Sequence, residues 1–182
     1  MDKIYINANE LLEDSFRLAV KIRNSGFIPD LLVAIWRGGT PVGVAVHEYF
    51  RYMGDNPDHV CIRAVSYTGI NQRSRTVEIT GLDYVYKQLN DSQSLLLVDD
   101  VFDTGNSIRE VLSLLETHFG QNIYDRTRIA CPWYKPANNQ TDLIPDFYLH
   151  ETQSWLVFPH ELVGLDAAEI LEGKPAVSEI IG

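Results

Sequence analysis

The chain predicts an α/β fold, a mostly parallel sheet flanked by helices, on three observations. Short apolar runs alternate with segments of helical periodicity. The runs are apolar at successive positions rather than every second one, as expected for strands buried on both faces. Candidate functional segments follow the runs, and ligands bind such sheets beyond the carboxyl ends of their strands. A length of 182 residues suits a single domain spanning residues 1–182.

Each element has its own warrant. Residues 9–25 read as a helix, with Leu11, Leu12, Ser15, Leu18, Ala19 and Ile22 at helical spacing and Gly26 as the stop. Residues 31–35 form a continuous apolar run, read as a buried parallel strand. A glycine-containing loop at 36–40 follows, and Pro41 suits the first turn of a helix running to about Met53. Residues 60–65 read as the next strand, residues 66–75 as a mobile polar loop carrying Gly69, and residues 76–80 as a strand resuming after it. A strand over 94–101 leads into a helix over about 105–119. Ile108, Val111, Leu112, Leu115 and Phe119 make one apolar face of that helix. Residues 127–131 and 147–149 read as two further strands.

The composition narrows the class. A formal net charge of −10 gives long-range attraction to nucleic acid or anionic membranes the wrong sign. An anionic small substrate stays open, because salt screens exposed charges beyond about 8 Å and a site is ruled by its own groups. No apolar run approaches the roughly 20 residues that span a bilayer. The acidic start, with Asp2, Glu10, Glu13 and Asp14, is unlike a secretory signal. Cys61 and Cys131 both lie in apolar strand-like segments and are expected to be buried free thiols, as in a cytoplasmic protein.

The most informative run is Ser-Leu-Leu-Leu-Val-Asp-Asp-Val-Phe-Asp-Thr-Gly-Asn-Ser, residues 94–107. An apolar strand delivers two adjacent carboxylates, Asp99 and Asp100, which can address one ligand only where the pleat is lost. Asp103, Thr104 and Gly105 are the turn signals that put the strand's end there. Neighbouring carboxylates repel, and a cation or a ribose diol relieves that repulsion. Mg²⁺ suits oxygen ligands and commonly bridges one or two carboxylates to phosphates. Thr104 and Ser107 offer hydroxyls, Gly105 allows close backbone approach, and the opening helix presents unpaired amides to an anion. Such hydrogen bonds to a charged phosphate are worth about 1.5–3 kcal/mol each, more than the roughly 0.3–1 kcal/mol of an exposed helix dipole. Asp103, Thr104 and Ser107 taken alone would equally serve as helix caps. Capping leaves the preceding acid pair unexplained. The whole run reads as a site for a phosphorylated sugar.

This run resembles the 5-phosphoribosyl-1-pyrophosphate (PRPP) motif of the type I phosphoribosyltransferases, with Ser107 where a threonine is more usual. Residues 31–160 are similar to the xanthine–guanine and hypoxanthine members. The resemblance implies a parallel sheet with flanking helices and a small hood, here about 133–182 with the C-terminal extension. It also implies roles. Asp99 and Asp100 would address the ribose hydroxyls and Mg²⁺, and Asp103 would act as general base or acid at the purine imidazole ring. Thr104, Gly105, Asn106 and Ser107 would hold the 5′-phosphate. Residues 36–40, with Arg37, Gly38 and Gly39, resemble the pyrophosphate loop, where relatives often carry a non-proline cis peptide. Ser66 and Tyr67 match the start of the flexible catalytic loop, and Arg73 and Arg75 are candidate pyrophosphate contacts. Lys135 would meet the oxygen at purine C6, Trp155 would stack on the base, and the backbone of Leu156 would meet its edge.

The implied activity is Mg²⁺-dependent transfer of phosphoribosyl from PRPP to a 6-oxopurine (hypoxanthine, guanine or xanthine) in purine salvage, by a self-associating enzyme. Pro159-His160-Glu161 departs from the Pro-Trp-acid common in relatives, which leaves the contacts to the base C2 group open. Two alternatives share the fold: a PRPP-sensing regulator that binds nucleic acid, and a pyrimidine enzyme. The acidic balance argues against the first, Lys135 and Trp155 against the second. Residues 162–182 carry no chemical signal.

Overall fold

The computed structural model describes residues 3–67 and 76–181. Their elements in chain order are β1 (Lys3–Tyr5), α1 (Ala8–Asn24), β2 (Leu31–Trp36), α2 (Gly39–Tyr52), β3 (Asp58–Tyr67), β4 (Thr76–Thr80), α3 (Asp83–Gln88), β5 (Leu95–Val98) and β6 (Val101–Phe102). There follow α4 (Asn106–Phe119), α5 (Ile123–Arg126), β7 (Thr127–Ala130), β8 (Trp133–Tyr134), a 3-10 turn (Pro136–Asn138), β9 (His150–Glu151), β10 (Trp155–Val157), α6 (Ala167–Gly173) and α7 (Pro175–Ile181).

The chain divides into two compact units, Leu12–Gln153 and the pair of end segments Met1–Leu11 with Ser154–Gly182. The larger unit holds a five-stranded sheet of order β4-β3-β2-β5-β7. All its pairings are parallel except β3 with β4. Both faces of the central strands are covered, which is why β2 and β5 read as unbroken apolar runs. Leu31, Val33 and Ile35 join a core cluster with Val85, Val111, Leu112 and Leu115 from α3 and α4. Alternate residues face the other way, where a Cβ on Gly43 of α2 would lie 2.8 Å from the Ala34 Cβ. Glycine there lets α2 approach the sheet closely.

Several expectations change. β3 runs on through Ser66 and Tyr67, which pair with Val77 and Thr76, so these two residues end a strand rather than begin a loop. Arg73 and Arg75 lie outside the described residues. The strand expected over 94–101 breaks after Val98, and Val101–Phe102 joins a separate three-stranded sheet with β8 and β9. Phe147 makes only a single bridge with Ala130, and the strand in that region is His150–Glu151. Cys131 is buried, but Cys61 is exposed, because Ile62 beside it takes the core-facing position on β3. Both thiols are free.

The small unit pairs β1 with β10 in parallel, Ile4 opposite Leu156, and draws on both ends of the chain. Asp166 opens α6 with a reciprocal capping box to Glu169, and Lys3 bonds the Glu169 carboxylate. Buried Lys174 donates to the backbone oxygens of Phe158 and Pro159, just past β10. No helix among the described residues is long and apolar enough to cross a membrane.

Candidate active site

The site assembles where β2 and β5, neighbours in the sheet, both end. Beyond β2 the Trp36–Arg37 peptide is cis, the form the resemblance implies for this loop. Gly38 and Gly39 then lead into α2. A Cβ on Gly38 would fall 1.8 Å from Oδ2 of Asp100, and one on Gly39 would fall 2.4 Å from the Val98 carbonyl oxygen. Only hydrogen fits at either place, so the glycine turn lies directly against the acid pair. Arg37 is exposed.

The acid pair has unusual electrostatics. Burial first, and then the neighbouring Asp100 charge, push the Asp99 acid well above the ordinary carboxylate range. The backbone N–H groups of Asp100 and Gly39 donate to Asp99 and pull it the other way. Asp100 is buried, and its N–H reaches Oδ1 of Asp99 at 3.0 Å. Two crowded acids of this kind fit a divalent cation that brings its own counter-charge. Among the described residues no three His, Cys, Asp or Glu side chains gather into a metal cage. One or two carboxylates completed by substrate oxygens is the mode that suits Mg²⁺.

After β6 the chain turns through Asp103, Thr104 and Gly105 into α4. Gly105 has φ +76°, and a Cβ there would also meet Thr141 Oγ1 at 2.6 Å and the Phe102 ring at 2.8 Å. Asp99, Asp103, Thr104, Gly105 and Ser107 line one hollow of about 80 Å³. That is far below the roughly 300–1,000 Å³ of whole-ligand pockets, so it suits a headgroup such as phosphate. A larger hollow, about 420 Å³, lies at the amino ends of the strands beside Asp30, Asp55 and Asp58. Those acids are engaged by Ser94, Arg23 and Tyr84, and they sit at the wrong end of a parallel sheet.

Lys135 follows β8, whose pairing with β6 brings it beside the loop. Its N–H donates to the Phe102 carbonyl at 2.9 Å. The ammonium lies 3.2 Å from Asp103 Oδ2, with the lysine side chain 7% and the aspartate side chain 41% exposed. Asn138, which the sequence reading passed over, donates its amide to Asp103 Oδ1 at 2.9 Å. Gln140 N–H bonds the Thr104 carbonyl at 3.0 Å, and its Oε1 accepts from the Asn106 amide at 3.1 Å. The polar run Asn138-Asn139-Gln140-Thr141 directly after Lys135-Pro136 was the available signal. The larger unit thus brings Gly38, Gly39, Asp99, Asp100, Asp103–Ser107 and Lys135 together. Trp155 and Leu156 belong to the small unit, where Trp155 opens β10 with 55% of its surface exposed and Leu156 is buried.

Comparison with known proteins agrees with this geometry. A hypoxanthine-guanine phosphoribosyltransferase of Lactococcus lactis is 26% identical, over 97% of this chain and 90% of the relative. A xanthine-guanine phosphoribosyltransferase of Desulfotalea psychrophila is 25% identical, over 91% of each. The crystal structure of a purine phosphoribosyltransferase from Pyrococcus horikoshii is similar, with a TM-score of 0.68, 29% identity, and coverage of 91% of this chain and 98% of that one. The family model for the phosphoribosyl transferase domain matches residues 3–166, nearly the whole of the described core. With its glycine turn seated on the acid pair and its hydroxyl-bearing loop opening α4, this chain belongs to the phosphoribosyl transferase family.

Proposed function

We propose that the protein transfers phosphoribosyl from PRPP to a 6-oxopurine, releasing pyrophosphate and giving the nucleoside monophosphate. The observation that carries this reading is the contact of Lys135 with Asp103 beside the phosphate loop. It sets an ammonium that can meet a purine oxygen next to a carboxylate that can take a purine ring proton.

Thr104, Gly105, Asn106 and Ser107 bind the 5′-phosphate, and Asp99 and Asp100 bind the ribose hydroxyls. The amides of Gly38 and Gly39, with Arg37, bind the leaving pyrophosphate. Asp99 and Asp100 would also hold Mg²⁺, which when bound offsets charge on that pyrophosphate. The bond from the anomeric carbon to pyrophosphate oxygen breaks, and a bond from that carbon to a purine nitrogen forms. The imidazole proton passes to Asp103, a carboxylate already held as an acceptor by two donors. Lysine favours an oxo over an amino group at C6, which disfavours adenine. Trp155 offers an exposed aromatic face of the kind on which a base stacks. Ser66 and Tyr67 carry the approach to the segment that excludes water from the activated ribose. By the same reading the enzyme is cytoplasmic, serves purine salvage, self-associates and takes no nucleic-acid partner.

A panel of nucleobases with PRPP and Mg²⁺, followed by pyrophosphate release, tests it. Turnover is expected with hypoxanthine, guanine or xanthine and not with adenine. Turnover with orotate or uracil alone, or with no base, would overturn the reading.

A further inference from the structure

Asp103 is gripped from one short segment at both of its oxygens. Lys135 Nζ lies 3.2 Å from Oδ2 and Asn138 Nδ2 lies 2.9 Å from Oδ1. The local geometry explains the pairing. Residues 136–138 form a single 3-10 turn closed by the Asn138 N–H on the Lys135 carbonyl at 3.0 Å. That closure keeps Lys135 and Asn138 near each other, and both side chains reach the one carboxylate. The support behind Asn138 is itself fixed. Asn139 accepts from the Thr141 N–H at 2.9 Å and donates to the Leu143 carbonyl at 2.7 Å, while Gln140 is tied to Thr104 and Asn106.

The two grips differ in chemistry. The purine reading gives the Lys135 ammonium a second duty, the oxygen at C6, so this contact is shared or surrendered when a base arrives. The Asn138 amide has no such duty and carries no charge that would compete for the base proton. A carboxylate offers about four acceptor positions. The two donors occupy two of them from the Lys135 side and leave the others open to a ring N–H. Of the charged groups, Lys135 is bonded to Asp103 and Asp99 lines the same hollow.

We infer that Asn138 is a positioning residue, holding the Asp103 carboxylate in its proton-accepting orientation while Lys135 engages the purine oxygen. The inference rests on the proposed function and adds to it a residue on which the base-side chemistry depends.

The test uses the full chain with Asn138→Ala, Asn138→Asp and Asn138→Ser. Asn138→Ala should lower kcat about tenfold, the loss expected for one hydrogen bond to a charged group, with the PRPP KM within about twofold. Asn138→Asp keeps the shape but swaps donor for acceptor, and should cost more than alanine. Asn138→Ser retains a donor and should recover part of the loss. A readout independent of turnover is the ¹³C carboxyl resonance of Asp103, assigned by its disappearance in Asp103→Asn, which should move in Asn138→Ala. An aspartate variant with wild-type kcat, or an unmoved resonance in the alanine variant, overturns the inference. A resonance that moves in Asn138→Ala, in a protein whose wild type turns over no purine, would uphold the contact and overturn the functional reading beneath it.

Discussion

The buried ammonium of Lys135 and the half-exposed carboxylate of Asp103 face each other at 3.2 Å, joined through the β6–β8 pairing although 32 residues separate them in sequence. Each is assigned a different atom of the base, so their variants should separate. Lys135→Ala is expected to raise the 6-oxopurine KM by roughly tenfold or more, with PRPP affinity unchanged. Asp103→Asn should lower kcat by about 10²–10⁴-fold with little change in PRPP binding. Steady-state kinetics in both substrates reads both effects. Equal loss of base and PRPP binding in Lys135→Ala would contradict the assignment.

Gly39 meets backbone rather than side chain. A Cβ would lie 2.4 Å from Val98 O and 2.9 Å from Asp99 Cα, at the end of a central strand that cannot yield. Gly39→Ala should therefore destabilise the protein by about 1–3 kcal/mol, the usual cost of overpacking. It should also weaken PRPP binding by displacing Asp99. Thermal unfolding and a PRPP titration together check this, and an unchanged melting temperature would contradict the geometry.

Lys174 is 9% exposed and spends its donors on the Phe158 and Pro159 carbonyls. Lys174→Met fills the space but leaves the Pro159 oxygen without that donor. The expected loss is about 1–3 kcal/mol, with faster amide exchange along β10. Unchanged exchange at residues 155–158 would show that the lysine does not clamp this strand end.

His47 supplies a pH dependence. Its ring lies 4.2 Å from that of His59, centroid to centroid, and Nε2 is 3.2 Å from the Pro57 carbonyl oxygen. Burial first, and then the His59 charge, hold its pKa below the ordinary histidine value. The folded protein therefore binds a proton on His47 less readily than the unfolded chain does. Its contribution to stability is complete above the unfolded value and falls as pH drops from there through the lowered folded value. Urea midpoints measured from about pH 7.5 to about pH 5 should fall more steeply for wild type than for His47→Gln. Parallel slopes would refute the shift.

What the sequence disclosed follows the physics. β2 and β5 are legible because burial on both faces makes every position apolar, and Asp99-Asp100 stands out at the end of such a run. β1 and β10 are three residues each and pair across about 150 residues of chain, so nothing local announces them. The extension of β3 through Tyr67 depends on its antiparallel partner β4, again a non-local cause. Phe147 looked like a strand residue because it is apolar, yet it forms only one bridge. Asn138 was missed because an amide after Lys-Pro reads as ordinary turn chemistry until its target, Asp103, is brought beside it.

The central claim is that the acid pair and the phosphate loop form one PRPP site. Isothermal titration of PRPP with Mg²⁺ into wild type and into Asp99→Asn/Asp100→Asn tests it most directly. Saturable one-to-one binding to the wild type is expected, with its loss in a double variant that still unfolds cooperatively. Absence of binding heat in the wild type, or equal affinity in the variant, would contradict it.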